Sequence, residues 1–141
     1  MKTNFKKLLL FILVPLLLGT LVGIITTSNS NVDSILPPWI FPVVWTILYI
    51  LMGVSSYLVY EKTNEIPKIY ILQLAANLLW SFVFFTFNLK TLAFVWILFL
   101  ILLVIIMIRY FLSKDKLAGY LQIPYLIWLF IAAILNLLLI I

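Results

Sequence analysis

The chain has no cysteine and no histidine, and only four of its 141 residues are acidic. These absences exclude thiol chemistry, Cys₂His₂ metal sites, haem ligation through imidazole and a serine–histidine triad. The four carboxylates, at Asp33, Glu61, Glu65 and Asp115, lie between apolar stretches and not within them. We therefore expect no metal ion, no cofactor and no conventional acid–base catalyst.

Apolar residues are abundant instead, at 67% of the chain with a mean hydropathy of +1.31. Soluble domains contain about 45–50% apolar residues. Five apolar stretches of about 20 residues each match a hydrocarbon core of roughly 30 Å. They are residues 5–26, 39–60, 68–88, 91–112 and 117–140. The sequence predicts an all-α membrane protein, a bundle of five transmembrane helices that forms a single domain over residues 1–141.

The basic residues predict the orientation of this bundle. Eight of the nine lie on one side of the predicted membrane, and only Lys90 lies on the other. The positive-inside rule therefore places the N-terminus in the cytoplasm and the C-terminus outside. The net charge of +5 thus reflects topology and does not indicate a nucleic-acid partner. The first span is too long for a signal peptide and lacks an A-x-A-like site, so we expect it to be retained, in a bacterial cytoplasmic membrane.

Aromatic and amide side chains recur at helical spacing in three of the spans. In the second span Trp45 and Tyr49 share a face, and in the third Asn77 lies near Trp80. Uncharged polar groups in hydrocarbon usually face the interior of a bundle. The fourth span is aliphatic between Val95 and Ile108 apart from Trp96, which predicts a lipid-facing wall.

Depth estimates place several of these residues in the outer half of the bundle. Trp45, Trp80 and Asn136 fall roughly 8–12 Å below the outer helix ends, and Trp128 about 20 Å below. An uncharged aromatic cavity there would suit a flat, conjugated ligand, whereas the alternative is a well-packed core with satisfied amides. The candidate ligand-binding residues are Trp45, Tyr49, Asn77, Trp80, Ser81, Phe84, Trp128 and Asn136.

Several motifs resemble the TspO/MBR family of tryptophan-rich sensory and translocator proteins. They are Phe41–Gly53 (FPVVWTILYILMG), Gln73–Trp80 (QLAANLLW), Pro124–Trp128 (PYLIW) and Ala132–Asn136 (AAILN). The resemblance implies a five-helix bundle, often a homodimer, with a pocket for porphyrins, sterols and synthetic aromatic ligands. It also implies light-dependent breakdown of protoporphyrin IX, as in some bacterial relatives. The family tryptophans tied to that reaction correspond to Trp45 and Trp128, and the pocket amide to Asn77.

Two features depart from the family pattern. Trp39 directly follows Pro38, where relatives have one more residue, and the connector over residues 27–36 is short. In relatives this connector folds over the pocket, so the reduced length bears on ligand affinity. No basic residue follows Tyr125 to complete the sterol motif of animal relatives, and we make no claim about sterols from that pattern.

Three functions remain open at this point. The first is a receptor or sensor that binds porphyrin, with Trp45 and Trp128 as photochemical residues in place of a conventional catalyst. The second is a passive or ligand-gated transporter of tetrapyrroles or other hydrophobic solutes, because a proton-coupled pump normally needs an intramembrane carboxylate or histidine. The third is a structural subunit without a small ligand. The expected partners are the porphyrin, the lipid bilayer and a second copy of the chain.

Overall fold

The helices begin and end close to the limits that hydropathy predicts. The structure is a computed structural model, and it describes residues 4–27 and 39–141. Within these ranges all regular structure is helical, and five stretches are long and apolar enough to cross a membrane. The α-helices are α1 (Phe5–Thr27), α2 (Ile40–Thr63), α3 (Lys68–Ser81), α4 (Lys90–Lys114), α5 (Lys116–Leu121) and α6 (Ile123–Ile140). The predicted five-span all-α architecture is confirmed.

Three helix ends differ from the predicted limits for local reasons. α2 extends to Thr63 and stops at Asn64, which adopts a left-handed φ of 59° and donates its backbone N–H to Tyr60 O. α3 passes into a π-helical segment at Phe82–Thr86. The fifth span is two helices, because Pro124 lacks the N–H needed to continue the helix through Gln122.

α1 packs antiparallel to α2, and the two helices come into close contact at glycine residues. A Cβ at Gly53 would overlap the backbone of Phe11 and Ile12, and a Cβ at Gly19 would overlap the ring of Tyr49. Gly23 has nothing within 4 Å of the Cβ position. Only Gly19 of the Gly19–Gly23 pair on α1 is therefore needed for a close contact within the described residues.

α4 is a central helix of the bundle, so the prediction of a lipid-facing wall is wrong for one of its faces. Ala93, Val104, Met107 and Phe111 are fully buried. Trp96 is half-buried and donates its indole N–H to Ala76 O on α3 at 2.9 Å. Lipid chains are as apolar as leucine, so an aliphatic sequence alone does not distinguish a lipid-facing helix from a buried one.

Apart from Lys90, the described basic residues lie in turns at one end of the bundle, which we call the basic end. It contains the N-terminal turn of α1, the α2–α3 turn and the α4–α5 turn. The connector at residues 27–36 was expected at the opposite end as a short lid. Residues 28–38, and with them Pro38, lie outside the described residues.

Single cysteines at the two ends of α4 should report its orientation. Thr91 and Ser113 are exposed residues in the first and last turns of this helix, and the natural chain contains no cysteine. With the basic end in the cytoplasm, Thr91→Cys should react in intact cells with an impermeant thiol reagent and Ser113→Cys only after permeabilisation. Reaction of Ser113→Cys alone in intact cells would reverse the assignment.

Candidate ligand-binding site

Five aromatic residues from α2 and α6 meet ring to ring inside the bundle. We call them the aromatic cluster, and they are Phe41, Trp45, Tyr49, Tyr125 and Trp128. Trp45 stacks on Tyr49 with ring centroids 5.6 Å apart and meets Trp128 edge-on at 6.4 Å and 89°. Phe41 contacts Trp128 at 5.9 Å, and Trp45 contacts Tyr125 at 6.3 Å. The α2 members recur every four residues and so lie on one helix face.

A chain of hydrogen bonds links this cluster to α3. The Tyr49 hydroxyl donates to Asn77 Oδ1 at 2.6 Å, and Asn77 Nδ2 donates to the Tyr125 hydroxyl at 2.8 Å. We call these three residues the polar chain. Each is buried, with 6% of Tyr49, 2% of Asn77 and none of Tyr125 exposed. Because the bonds join α2, α3 and α6, they fix the relative positions of three helices with neutral groups only.

Four of the eight predicted site residues thus lie in one connected group, namely Trp45, Tyr49, Asn77 and Trp128. Trp80 and Phe84 form a second group, stacked at 4.9 Å with 15° between their planes.

The first turn of α4 accepts two side-chain hydrogen bonds, one from this second group and one from α6. The Trp80 indole N–H donates to Ala93 O at 3.1 Å, and Asn136 Nδ2 donates to Lys90 O at 3.0 Å. Ser81 is half-buried at the end of α3. The expectation that Trp80 and Asn136 line one cavity with Trp45 and Trp128 therefore gains no support from these contacts.

Tyr125 and Phe41 belong to the aromatic cluster, although they are not among the eight site residues predicted from the sequence. Tyr125 precedes Trp128 by three residues and so shares its helix face. A phenol in hydrocarbon needs a hydrogen-bond partner, and this requirement should direct it towards the polar residues of other helices. Residue type and spacing together were a sufficient signal for Tyr125. Phe41, in the first turn of α2, carried no comparable signal.

The site offers stacking surfaces and hydrogen-bond groups but no charge. Within the described ranges no cluster of acidic residues could hold a metal ion. Trp128 is 8% exposed, and its buried indole N–H has no acceptor among the described residues. Trp45 is only half-buried, so part of its ring lies at the edge of the cluster. These groups have the chemistry to stack against a flat ring system and to donate a hydrogen bond to it.

Comparison with known proteins identifies the family. The TspO/MBR family model matches residues 11–141. The tryptophan-rich sensory protein of Cereibacter sphaeroides is 37% identical over 102 residues, which cover 71% of this chain and 65% of that protein. The tryptophan-rich protein TspO of Archaeoglobus fulgidus is 35% identical over 104 residues, covering 71% of this chain and 67% of that protein.

A third relative, protein CrtK of Rhodobacter capsulatus, is 35% identical over 106 residues, covering 71% of this chain and 66% of that protein. The matches thus span about two thirds of the length of these curated relatives. The family match extends over all five membrane spans except the first two turns of α1. The chain is an integral membrane protein that belongs to the TspO/MBR family.

Proposed function

We propose that the chain is a membrane receptor that binds porphyrins, protoporphyrin IX among them, at the aromatic cluster. The observation that carries the proposal is the perpendicular pair of indoles, Trp45 and Trp128, placed beside a buried amide. Two indole faces at right angles can hold a flat macrocycle on a face and an edge. The name of the relative from Cereibacter sphaeroides, tryptophan-rich sensory protein, supports a sensing role.

Hydrogen bonding would orient the ligand. The unpaired Trp128 N–H can donate to an acceptor on the ligand, which would relieve the cost of a buried unsatisfied donor. Asn77 is bonded to both tyrosines, and its carboxamide keeps a second N–H and a second Oδ1 lone pair with which it can bind a ligand. We therefore assign stacking to Trp45 and Tyr49 and orientation to Trp128 and Asn77.

Ligand entry requires the rings to separate. Trp45 lies within 6.4 Å of three other ring centroids, which is contact distance for aromatic side chains. It is half-buried, whereas Tyr49, Tyr125 and Trp128 are buried. Among these four rings, Trp45 is therefore the one that can move with the least loss of packing, and we assign it as the entry residue.

Light-dependent breakdown of the bound porphyrin is the second part of the proposal. Oxidative cleavage of a porphyrin requires an oxidant, and we assign this role to dioxygen. An excited porphyrin can exchange an electron with an indole in contact with it, so Trp45 and Trp128 are the residues that would take part. The reaction should stop when either light or dioxygen is withheld.

Free-base protoporphyrin IX should bind at least as tightly as haem. The chain has neither histidine nor cysteine to ligate iron, and the hydroxyls of Tyr49 and Tyr125 are bonded to Asn77. We therefore expect the affinity to come from stacking and hydrogen bonds. Tryptophan fluorescence of the purified protein, titrated in the dark with each ligand, measures both dissociation constants. Haem binding that is much tighter, with a spectrum of strong axial ligation, would contradict the proposed mode of binding.

We also propose a location and an assembly. The basic end faces the cytoplasm of a bacterial cell, and the chain forms a homodimer in the cytoplasmic membrane. The distribution of lysine and arginine supports the orientation. The family resemblance supports the homodimer, and cross-linking in native membranes would test it.

A further inference from the structure

A second set of polar groups lies one helical turn from the polar chain, towards the basic end. Gln122 is completely buried, and neither its Nε2 nor its Oε1 has a hydrogen-bond partner among the described residues. Gln73 is also completely buried; its Nε2 donates to Tyr70 O at 3.0 Å, but its Oε1 has no partner in the part of the chain that the structure describes.

The Tyr125 hydroxyl contributes a further unsatisfied group. Its oxygen accepts a hydrogen bond from Asn77 Nδ2, and within residues 4–27 and 39–141 the structure offers no acceptor for the hydroxyl's own hydrogen. Because Tyr125 has no exposed surface, bulk solvent cannot supply that acceptor. The polar chain therefore ends in a donor that needs a partner.

Helix direction places these groups at one depth. α3 is antiparallel to α4, since Trp80 bonds to Ala93 and Trp96 to Ala76. α6 is antiparallel to α4 as well, since Asn136 near the end of α6 bonds to Lys90. α3 and α6 therefore run in the same direction.

The contact between Asn77 and Tyr125 sets the register of these two helices. Gln73 precedes Asn77 by four residues, and Gln122 precedes Tyr125 by three. Gln73 therefore lies about 6 Å before Asn77 on the same face of α3, and Gln122, the N-cap of α6, lies about 4.5 Å before Tyr125.

We propose that Gln73, Gln122 and Tyr125 form a binding site for internal water. A water molecule can accept the Tyr125 hydroxyl hydrogen and donate to Gln73 Oε1 and Gln122 Oε1. Three hydrogen bonds are typical of a buried water in proteins. The groups are two neutral carboxamides and a phenol, so a neutral molecule fits them better than an ion does.

The water gives Gln122 a role at the ligand site. When the Tyr125 hydroxyl donates its hydrogen to the water, the Tyr125 oxygen can only accept a hydrogen bond from Asn77 Nδ2. This orients the Asn77 carboxamide so that Oδ1 faces the Tyr49 hydroxyl. Gln122 is therefore a positioning residue for Asn77. This role follows from the hydrogen bonds of the chain itself and does not depend on porphyrin binding.

Water-edited NMR of the labelled full chain in lipid bilayers tests the site directly. Magnetisation should pass from water protons to the side-chain amides of Gln122 and Gln73. The indole N–H of Trp80 is a matched control, because it is buried and already bonded to Ala93 O. It should receive little magnetisation over the same mixing time.

The Gln122→Met variant tests whether the Gln122 amide is bonded to water or has no hydrogen-bond partner. It keeps the length and volume of the side chain but removes both polar atoms. Loss of bound water should lower the unfolding temperature by a few degrees and reduce transfer to Gln73, whereas removal of an orphaned amide should raise the unfolding temperature. Absence of transfer to Gln122 in the natural chain, or a more stable Gln122→Met variant, would each overturn the proposal.

Discussion

Replacing Trp45 or Trp128 with phenylalanine should slow the light-driven loss of bound protoporphyrin far more than it weakens binding in the dark. Phenylalanine keeps an aromatic face, so the loss of stacking should cost on the order of 1 kcal/mol, about fivefold in the dissociation constant. It is much harder to oxidise than indole, however, so the bleaching rate per bound porphyrin should fall towards that of protein-free detergent. Porphyrin absorbance under constant illumination, at ligand concentrations that saturate each variant, measures this rate.

Two other tryptophans provide controls for this experiment. Trp39 is 65% exposed and precedes α2, so Trp39→Phe should change neither binding nor bleaching. Trp96→Phe removes the bond to Ala76 O and should lower stability, while the bleaching rate per bound porphyrin stays unchanged. Equal bleaching by the natural chain, the four variants and protein-free detergent would mean that the protein has no such activity.

Much of the fold could be predicted from hydropathy alone. Each membrane span must satisfy its backbone within one helix, so an apolar stretch of about 20 residues has few alternatives. The break at Gln122 follows from Pro124 and could also have been inferred. The burial of α4 could not be inferred from the sequence, because aliphatic residues pack equally well against lipid or protein.

The position of each site residue along its helix could be predicted from the sequence, but the direction in which its side chain points around the helix axis could not. Spacing places Trp45 and Tyr49 on one face of α2, and the structure joins them by stacking. Depth estimates fix the level of Trp80 and Asn136, but the partner of each depends on the rotation of its helix about its own axis. Both donate to the backbone of α4, a group that no side-chain pattern in the sequence reveals.

Gly53→Ala should destabilise the bundle, whereas Gly23→Ala should not. The added methyl at Gly53 would overlap the Ile12 Cα and lie 2.5 Å from Phe11 O, backbone atoms that can move only with the whole of α1. Overpacking of this kind costs about 1–3 kcal/mol, and sometimes more. Alanine is favoured over glycine by roughly 1 kcal/mol in a helix, which offsets only part of that cost at Gly53. At Gly23 the methyl meets nothing within 4 Å, so there the helix preference should prevail.

Thermal unfolding in one detergent compares the two variants with the natural chain. For a chain of this size we expect Gly53→Ala to lower the unfolding temperature by about 3–10 °C, and Gly23→Ala to leave it unchanged or raise it slightly. Porphyrin affinity should fall with Gly53→Ala, because the Tyr49 ring packs against Gly19 and loses support when α1 moves. A Gly53→Ala variant as stable as the natural chain would show that α1 does not pack on α2 at this position.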